Sequence, residues 1–316
     1  MINIENKKIL ITGGTGFLGK NIVPYLTSRG ADVTATGRNY DLSVFSEAEK
    51  LFTSAEYELI IHGAAFQGAG DFPLKYPADQ FMLNTLIHTH ALHMWKEHQP
   101  NARFIGIGST CSYPGNIHVL KEEDYFTGPL HESVETYGLT KCVMQKGIEA
   151  YKKQYKLKGT TVAFATLYGP HDEFDLEKSH VVSALVKKFC DAKESGTPQV
   201  EIWGDGTQTR ELIYIEDQIK GLLAVSEYDG ALINIGSGEE TLIKDLAETI
   251  HKLTEYEGEI VYNTDRFVGV KRKVLDISKA KELYGWTVNA ETKLTSLEEG
   301  LGKTINWYRN QTQKPV

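Results

Sequence analysis

At 316 residues and 41% hydrophobic content, the chain is long enough to bury a full core as one large α/β unit or two joined domains. Its formal net charge of −8 argues against a nucleic-acid surface and leaves room for a local basic pocket that takes a small anion. The opening MINIENKKIL has no signal-peptide pattern and no apolar run reaches bilayer length, so the expectation is a cytoplasmic protein with no membrane partner.

The first predicted elements lie in KKILITGGTGFLGKNIVPYL: a strand over Lys8–Thr12, a glycine turn, and the start of a helix. Gly13, Gly16 and Gly19 are spaced three apart, and Gly14 to Gly19 fits GxGxxG. Glycine permits the tight turn and lets backbone approach a pyrophosphate, whose charge is stabilised by the free N–H groups at the helix N-terminus. The second strand, Asp32–Thr36, is followed by Gly37 and Arg38 where NAD-binding chains place an acidic residue for the ribose. A guanidinium suits a 2′-phosphate, so NADP (as NADPH) is expected over NAD, with Asp41 and Leu42 close to the adenine.

A third strand, Leu59–His62, leads into Gly63, Ala64 and Ala65, and a fourth over 103–108 ends at GSTCSYPG. Ser109 therefore stands at the ligand edge. The next helix carries Tyr137 and Lys141 four residues apart and so on one face. A neighbouring ammonium is expected to lower the tyrosine pKa and make it an acid or base toward a carbonyl or hydroxyl. Strands over 160–165 and 231–235 complete an α/β fold with a doubly wound, Rossmann-type parallel sheet, which binds ligands at the carboxyl ends of its strands.

After residue 166 the pattern breaks into loops rich in Gly, Pro and charge, the mark of a smaller C-terminal α/β substrate domain. The expected division is 1–165, with a returning segment near 217–250, for the dinucleotide, and 166–216 with 251–316 for the substrate. The tail reads as a helix end and a frayed terminus. Cys111, Cys142 and Cys190 form neither a disulfide framework nor a zinc pattern, so no metal is expected and a special cysteine would act as a thiol.

TGGTGFLG, the Gly-Ala-Ala after the third strand, Ser109, and Tyr137 with Lys141 resemble the extended short-chain dehydrogenase/reductase superfamily. KYPADQF, GSTCSYPG, LYGPHDEFD, SHVVSALVKKF, IWGDGTQTRELIYIED and KRKVLDISKAKELYGW are similar, more narrowly, to the GDP-L-fucose synthase family. That resemblance implies 3,5-epimerisation and NADPH-dependent 4-reduction of a nucleotide-linked 4-keto-6-deoxy sugar. It places Ser109, Tyr137 and Lys141 on the reduction and Cys111 with His180 on the epimerisation. A thiol and an imidazole both exchange protons near neutral pH, as inversion beside a carbonyl requires. The implied cofactor contacts are Gly13, Thr15, Gly16, Phe17, Leu18, Gly19, Arg38, Asp41, Leu42, Ala64, Ala65, Tyr137, Lys141, Leu167 and His180. Substrate contacts are Ser109, Thr110, Cys111, Lys188, Trp203 and Arg210: two cations for the diphosphate and an indole to stack or to pack in the core.

The superfamily also implies a homodimer, built on helices around 78–98 and 135–153. The sequence departs from the family at Lys188, usually arginine, at Thr15, often basic, and at Gly138 and Leu139 inside the Tyr–Lys motif. Other readings stay open: a 4-reductase without epimerisation, a 4-epimerase using NAD, and a dinucleotide-binding regulator without catalysis.

Overall fold

The computed structural model describes residues 3–37, 39–68, 72–266, 270–286 and 294–312. Its centre is a six-stranded sheet, in spatial order Asp32–Thr36, Lys8–Thr12, Leu59–His62, Arg103–Ser109, Gly159–Phe164 and Leu232–Ile235. Every neighbouring pair is parallel, so the order runs outward both ways from the first strand's crossover. The six expected strands are all present, with ends shifted by at most one residue.

Both faces of this sheet are covered, and alternation along each strand sorts side chains between two cores. Ile9, Ile11, Ile61 and Ile105 enter one cluster, whereas Leu10, Ile60 and Phe104 enter the other. The second cluster is roofed by Trp95, on helix Pro77–His98, and by Met144 and Ile148, on helix Glu135–Tyr155. Gly106, on the fourth strand, makes room for that roof: a Cβ there would lie 2.8 Å from Ile148 and 2.9 Å from Met144.

Outside this sheet the strands are short and pair two by two. Thr166–Tyr168 runs beside Leu212–Tyr214, Gln199–Trp203 beside Glu259–Asn263, and Val274–Leu275 beside Val119–Leu120, all parallel. Helix Val181–Ser195 packs against helices Ile243–Thr254 and Leu297–Thr312. The tail is thus helical through Thr312. No helix among the described residues is long and apolar enough to cross a membrane.

Candidate active site

The first strand ends at Thr12, and the chain reverses at Gly13 with φ +76°, where an added Cβ would stand 2.9 Å from the Ala64 backbone nitrogen. Only glycine satisfies both limits. The Gly14 N–H donates to the Thr36 carbonyl at 2.6 Å, latching the turn to the second strand. Helix Phe17–Thr27 then starts from an extended Gly16 with no side-chain cap and no acidic residue in its first turn. Its uncapped N–H groups and positive end fit a pyrophosphate.

Gly19 is buried on that helix, and a Cβ there would fall 2.3 Å from the Gly14 carbonyl carbon. The turn and the helix can meet only because neither has a side chain at the contact. Gly19→Ala is expected to push the turn outward, costing about 2 kcal/mol of stability and at least about tenfold in NADPH affinity. Thermal melting and a fluorescence titration with NADPH check both.

Around the turn, Phe17 and Leu18 are half-buried, and the Ala64 N–H donates to Thr12 Oγ1 at 3.2 Å. Ala65 and Leu167 are likewise half-buried. Thr15 lies over Gly37, where a Cβ would come 2.2 Å from its Oγ1. Arg38, on which the NADP preference was read, lies outside the described residues. Asp41 accepts from both the backbone N–H and the hydroxyl of Ser43 at 2.9 and 2.6 Å, and Leu42 points into the core beside Leu51 and Phe52.

At the end of the fourth strand, Ser109 caps a 3-10 turn, Thr110–Ser112: its hydroxyl oxygen accepts from the Cys111 N–H at 3.1 Å. The hydroxyl proton remains available to a ligand. Helix Glu135–Tyr155 comes directly against this turn through Gly138, where a Cβ would sit 2.3 Å from the Cys111 carbonyl oxygen. The Ser112 hydroxyl donates to the Gly138 carbonyl at 2.9 Å and locks the two segments together. Gly138 therefore has a packing reason: it brings the helix, and Tyr137 with it, up to Cys111.

Tyr137 is half-buried and Lys141 is 1% exposed, with its Nζ 5.7 Å from the Tyr137 ring centroid. The expected lowering of the tyrosine pKa is not what the structure shows. Burial, followed by the nearby Cys111, holds the phenol well above its usual value. Lys141 takes the perturbation instead: burial pulls its ammonium down to about 7, with Cys111 opposing. The desolvation that raises a phenol lowers an amine, and among the described residues no carboxylate offsets it at Lys141.

Behind Lys141 are His62 and His88, both fully buried. Thr12 Oγ1 pairs with His62 Nδ1 at 2.8 Å and His62 Nε2 with His88 Nδ1 at 2.9 Å. Burial, then the Lys141 charge, brings His62 down to about 3 and His88 well below its usual value, so both are neutral near pH 7.

His180 occupies the N-cap position of helix Val181–Ser195 and is exposed. Its charge acts on Asp172, a buried carboxyl raised by burial and lowered by His180. Among the described residues no hydrogen bond joins His180 to Cys111 or Tyr137.

Trp203 ends its strand 45% exposed, which excludes a place in the core. Lys188 Nζ and the Arg266 guanidinium stand 5.5 and 5.4 Å from its ring centroid, and Lys188 donates to the Glu201 carbonyl at 2.9 Å. Arg210 Nη1 instead reaches the carbonyls of Thr209 and Val270 at 2.7 and 2.6 Å. Its charge acts on Lys273, whose Nζ donates to the Thr110 carbonyl at 3.3 Å and interacts with Cys111. Lys273 was missed in the sequence reading because KRKVLD was read as one motif. Only the fold shows which of its cations turns toward the site.

A parallel doubly wound sheet, a glycine turn at a helix N-terminus and a Tyr–Lys helix beside the next ligand edge define a dinucleotide-binding protein of the extended short-chain dehydrogenase/reductase type. Residues 9–236 match the NAD dependent epimerase/dehydratase family, and the chain belongs to that family. It is 32% identical to GDP-L-fucose synthase 1 of Arabidopsis thaliana, over 96% of this chain and 94% of that protein. It is 30% identical to GDP-L-fucose synthase of Escherichia coli (strain K12), over 96% and 97% respectively. Among solved structures, a GDP-mannoheptose C4 reductase from Campylobacter jejuni with NADP bound superposes with a TM-score of 0.84 at 26% identity, covering 98% of this chain and 99% of that one.

Proposed function

We propose that this protein is an NADPH-dependent epimerase/reductase acting on a GDP-linked 4-keto-6-deoxy sugar. The observation that carries the reading is the Gly138–Cys111 contact, which puts Ser109, Cys111, Tyr137 and Lys141 in one place at the sheet's carboxyl edge. NADP fits the uncapped helix start and glycine turn, and the similar Campylobacter reductase holds NADP. When bound, NADPH supplies the hydride that reduces C4.

Protons at C3 and C5 of a 4-keto sugar are acidified by the carbonyl. Cys111 and His180 are the groups assigned to remove one from one face and return one to the other. As the C–H bond breaks, its electron pair delocalises onto the C4 oxygen, toward which the Ser109 hydroxyl and the Tyr137 phenol donate hydrogen bonds that strengthen with the charge. A phenol held above its usual pKa is fully protonated near neutrality and so is ready to donate. When Tyr137 gives its proton to the C4 oxygen, the phenolate formed draws a proton onto Lys141, whose pKa near 7 lies within easy reach.

In deuterated water, NADPH and GDP-4-keto-6-deoxymannose are expected to give a reduced sugar carrying deuterium at C3 and C5, read by NMR. Cys111→Ser should retain reduction of an already inverted sugar and lose at least about 100-fold in solvent exchange. A variant that keeps full exchange removes Cys111 from the chemistry.

The second reading is a C4 reductase without epimerisation. It is favoured by the likeness to a C4 reductase and by an exposed His180 that no hydrogen bond among the described residues ties to Cys111 or Tyr137. Reduction with no deuterium at either carbon identifies it. We also propose a homodimer on the helices Pro77–His98 and Glu135–Tyr155; Phe81 and Met82, 47% and 57% exposed, are apolar side chains that such an interface would cover.

A further inference from the structure

Glu211 lies next to Arg210 in sequence, yet it is 3% exposed and takes no part in the chemistry above. Its carboxylate is used entirely by backbone. One oxygen, Oε2, accepts from the Leu275 N–H at 2.7 Å, while Oε1 accepts from the Gly238 N–H at 2.8 Å, and the Ser237 N–H also bonds to the carboxylate. Its own carbonyl accepts from the Thr166 N–H at 3.2 Å. Gly236 makes the approach possible, because a Cβ there would come 2.1 Å from Oε1.

Glu211 thus ties together three segments distant in sequence: through its own carbonyl, Thr166 at the start of its short strand, and through its carboxylate, the turn 236–238 after the last sheet strand and strand Val274–Leu275. The third segment matters for the site. Lys273 precedes it and holds the Thr110 carbonyl, one residue before Cys111, while Val270 receives Arg210. Arg210 and Lys273 repel one another, and anchoring the backbone beneath them holds the two like charges adjacent.

We propose that Glu211 is a positioning residue that anchors the 270–275 segment and so sets the affinity of the site for the diphosphate of a nucleotide sugar. The inference rests on the nucleotide-sugar reading. Glu211 touches neither substrate nor cofactor; it acts through Lys273 and Arg210.

The proposal has a proton-linked signature. Burial raises the Glu211 carboxyl to about 7, against the lowering effect of its backbone N–H donors. Below that pH one carboxylate oxygen becomes a hydroxyl and an N–H loses its acceptor, so diphosphate affinity falls as pH falls through about 7. The charged groups around it are Glu240, held by Arg272 and Thr209, together with Arg210 and Lys273. Glu240 is held low by Arg272 and Thr209, and Lys273, lowered by burial, loses charge as pH rises, which would weaken diphosphate binding in the opposite direction.

The test uses the full chain and GDP-mannose, an unreactive probe whose diester diphosphate does not titrate near neutrality, with NADPH binding as the internal control. Calorimetry on the unaltered protein is expected to show GDP-mannose affinity rising about tenfold from pH 6 to pH 8, with NADPH affinity flat. In Glu211→Gln, whose amide turns a donor toward backbone donors, GDP-mannose affinity falls about tenfold or more at pH 8 and no longer depends on pH, while NADPH affinity stays within about twofold. A flat pH profile in the unaltered protein overturns the proposal without need of any variant. So does a Glu211→Gln protein that melts earlier but binds both ligands normally, which marks a purely structural carboxylate. If the unaltered protein binds no GDP-sugar at any pH while binding NADPH, the nucleotide-sugar reading itself falls and takes the proposal with it.

Discussion

Tyr137→Phe is expected to lower kcat for NADPH-dependent reduction by about 10³-fold, the scale of one lost general acid. The change deletes one oxygen and leaves the ring in place. Among the described residues that oxygen has no hydrogen-bond partner, so the melting temperature should move by no more than about 2 °C. NADPH affinity should stay within about threefold, because the glycine turn that takes the pyrophosphate lies on another element. Stopped-flow reduction, differential calorimetry and a cofactor titration separate these effects. Activity within about tenfold of the unaltered protein would remove Tyr137 from the acid's role.

Lys141→Met is expected to abolish turnover and to raise stability. A drop from 10.5 to about 7 means that charging Lys141 in the folded protein costs about 4 kcal/mol more than in the unfolded chain at neutral pH. Methionine fills a similar volume without that cost. The sign follows from proton counting. Between about 7 and 10.5 the unfolded chain holds the lysine proton and the folded protein does not, so stability rises with pH across that window and the penalty is complete below it. In protein freed of dinucleotide, Lys141→Met should melt at least about 5 °C higher at pH 7, and this share of the pH slope between 7 and 10 should vanish. A variant that melts lower would show that Lys141 is held by partners that stabilise its charge.

These two substitutions separate roles that a four-residue spacing leaves merged. Tyr137 and Lys141 share a helix face by geometry alone. Which of them carries the strained ionisation is decided by what packs around them. His62 and His88, brought from the third strand and from helix Pro77–His98, lie near the amine as neutral rings, while Cys111 lies near the phenol. A reading of the helix in isolation gives the pair the opposite perturbation.

The candidate site divides along the same line. Gly13, Gly16 and Gly19 were legible because a turn, a close approach and a helix start are demands that a short segment makes on itself. Trp203 was not: an indole at a strand end belongs in the core or on the surface according to the layer laid over it, and here its exposed face is flanked by Lys188 and Arg266. Lys188 was paired with Arg210 on charge alone, whereas the fold sets Lys273 beside Arg210, from a segment more than sixty residues away in the chain.

By itself the sequence determined the six sheet strands to within a residue at each end, their parallel sense and the glycine turn. Those follow from apolar runs, alternation and glycine spacing, which act within about twenty residues. The tertiary structure alone decided that Gly138 meets Cys111, that Lys141 lies near its titration point, and that Glu211 accepts from the Leu275 N–H. Each of these depends on burial and on partners contributed by distant elements, and desolvation has no magnitude until the chain has closed over the group.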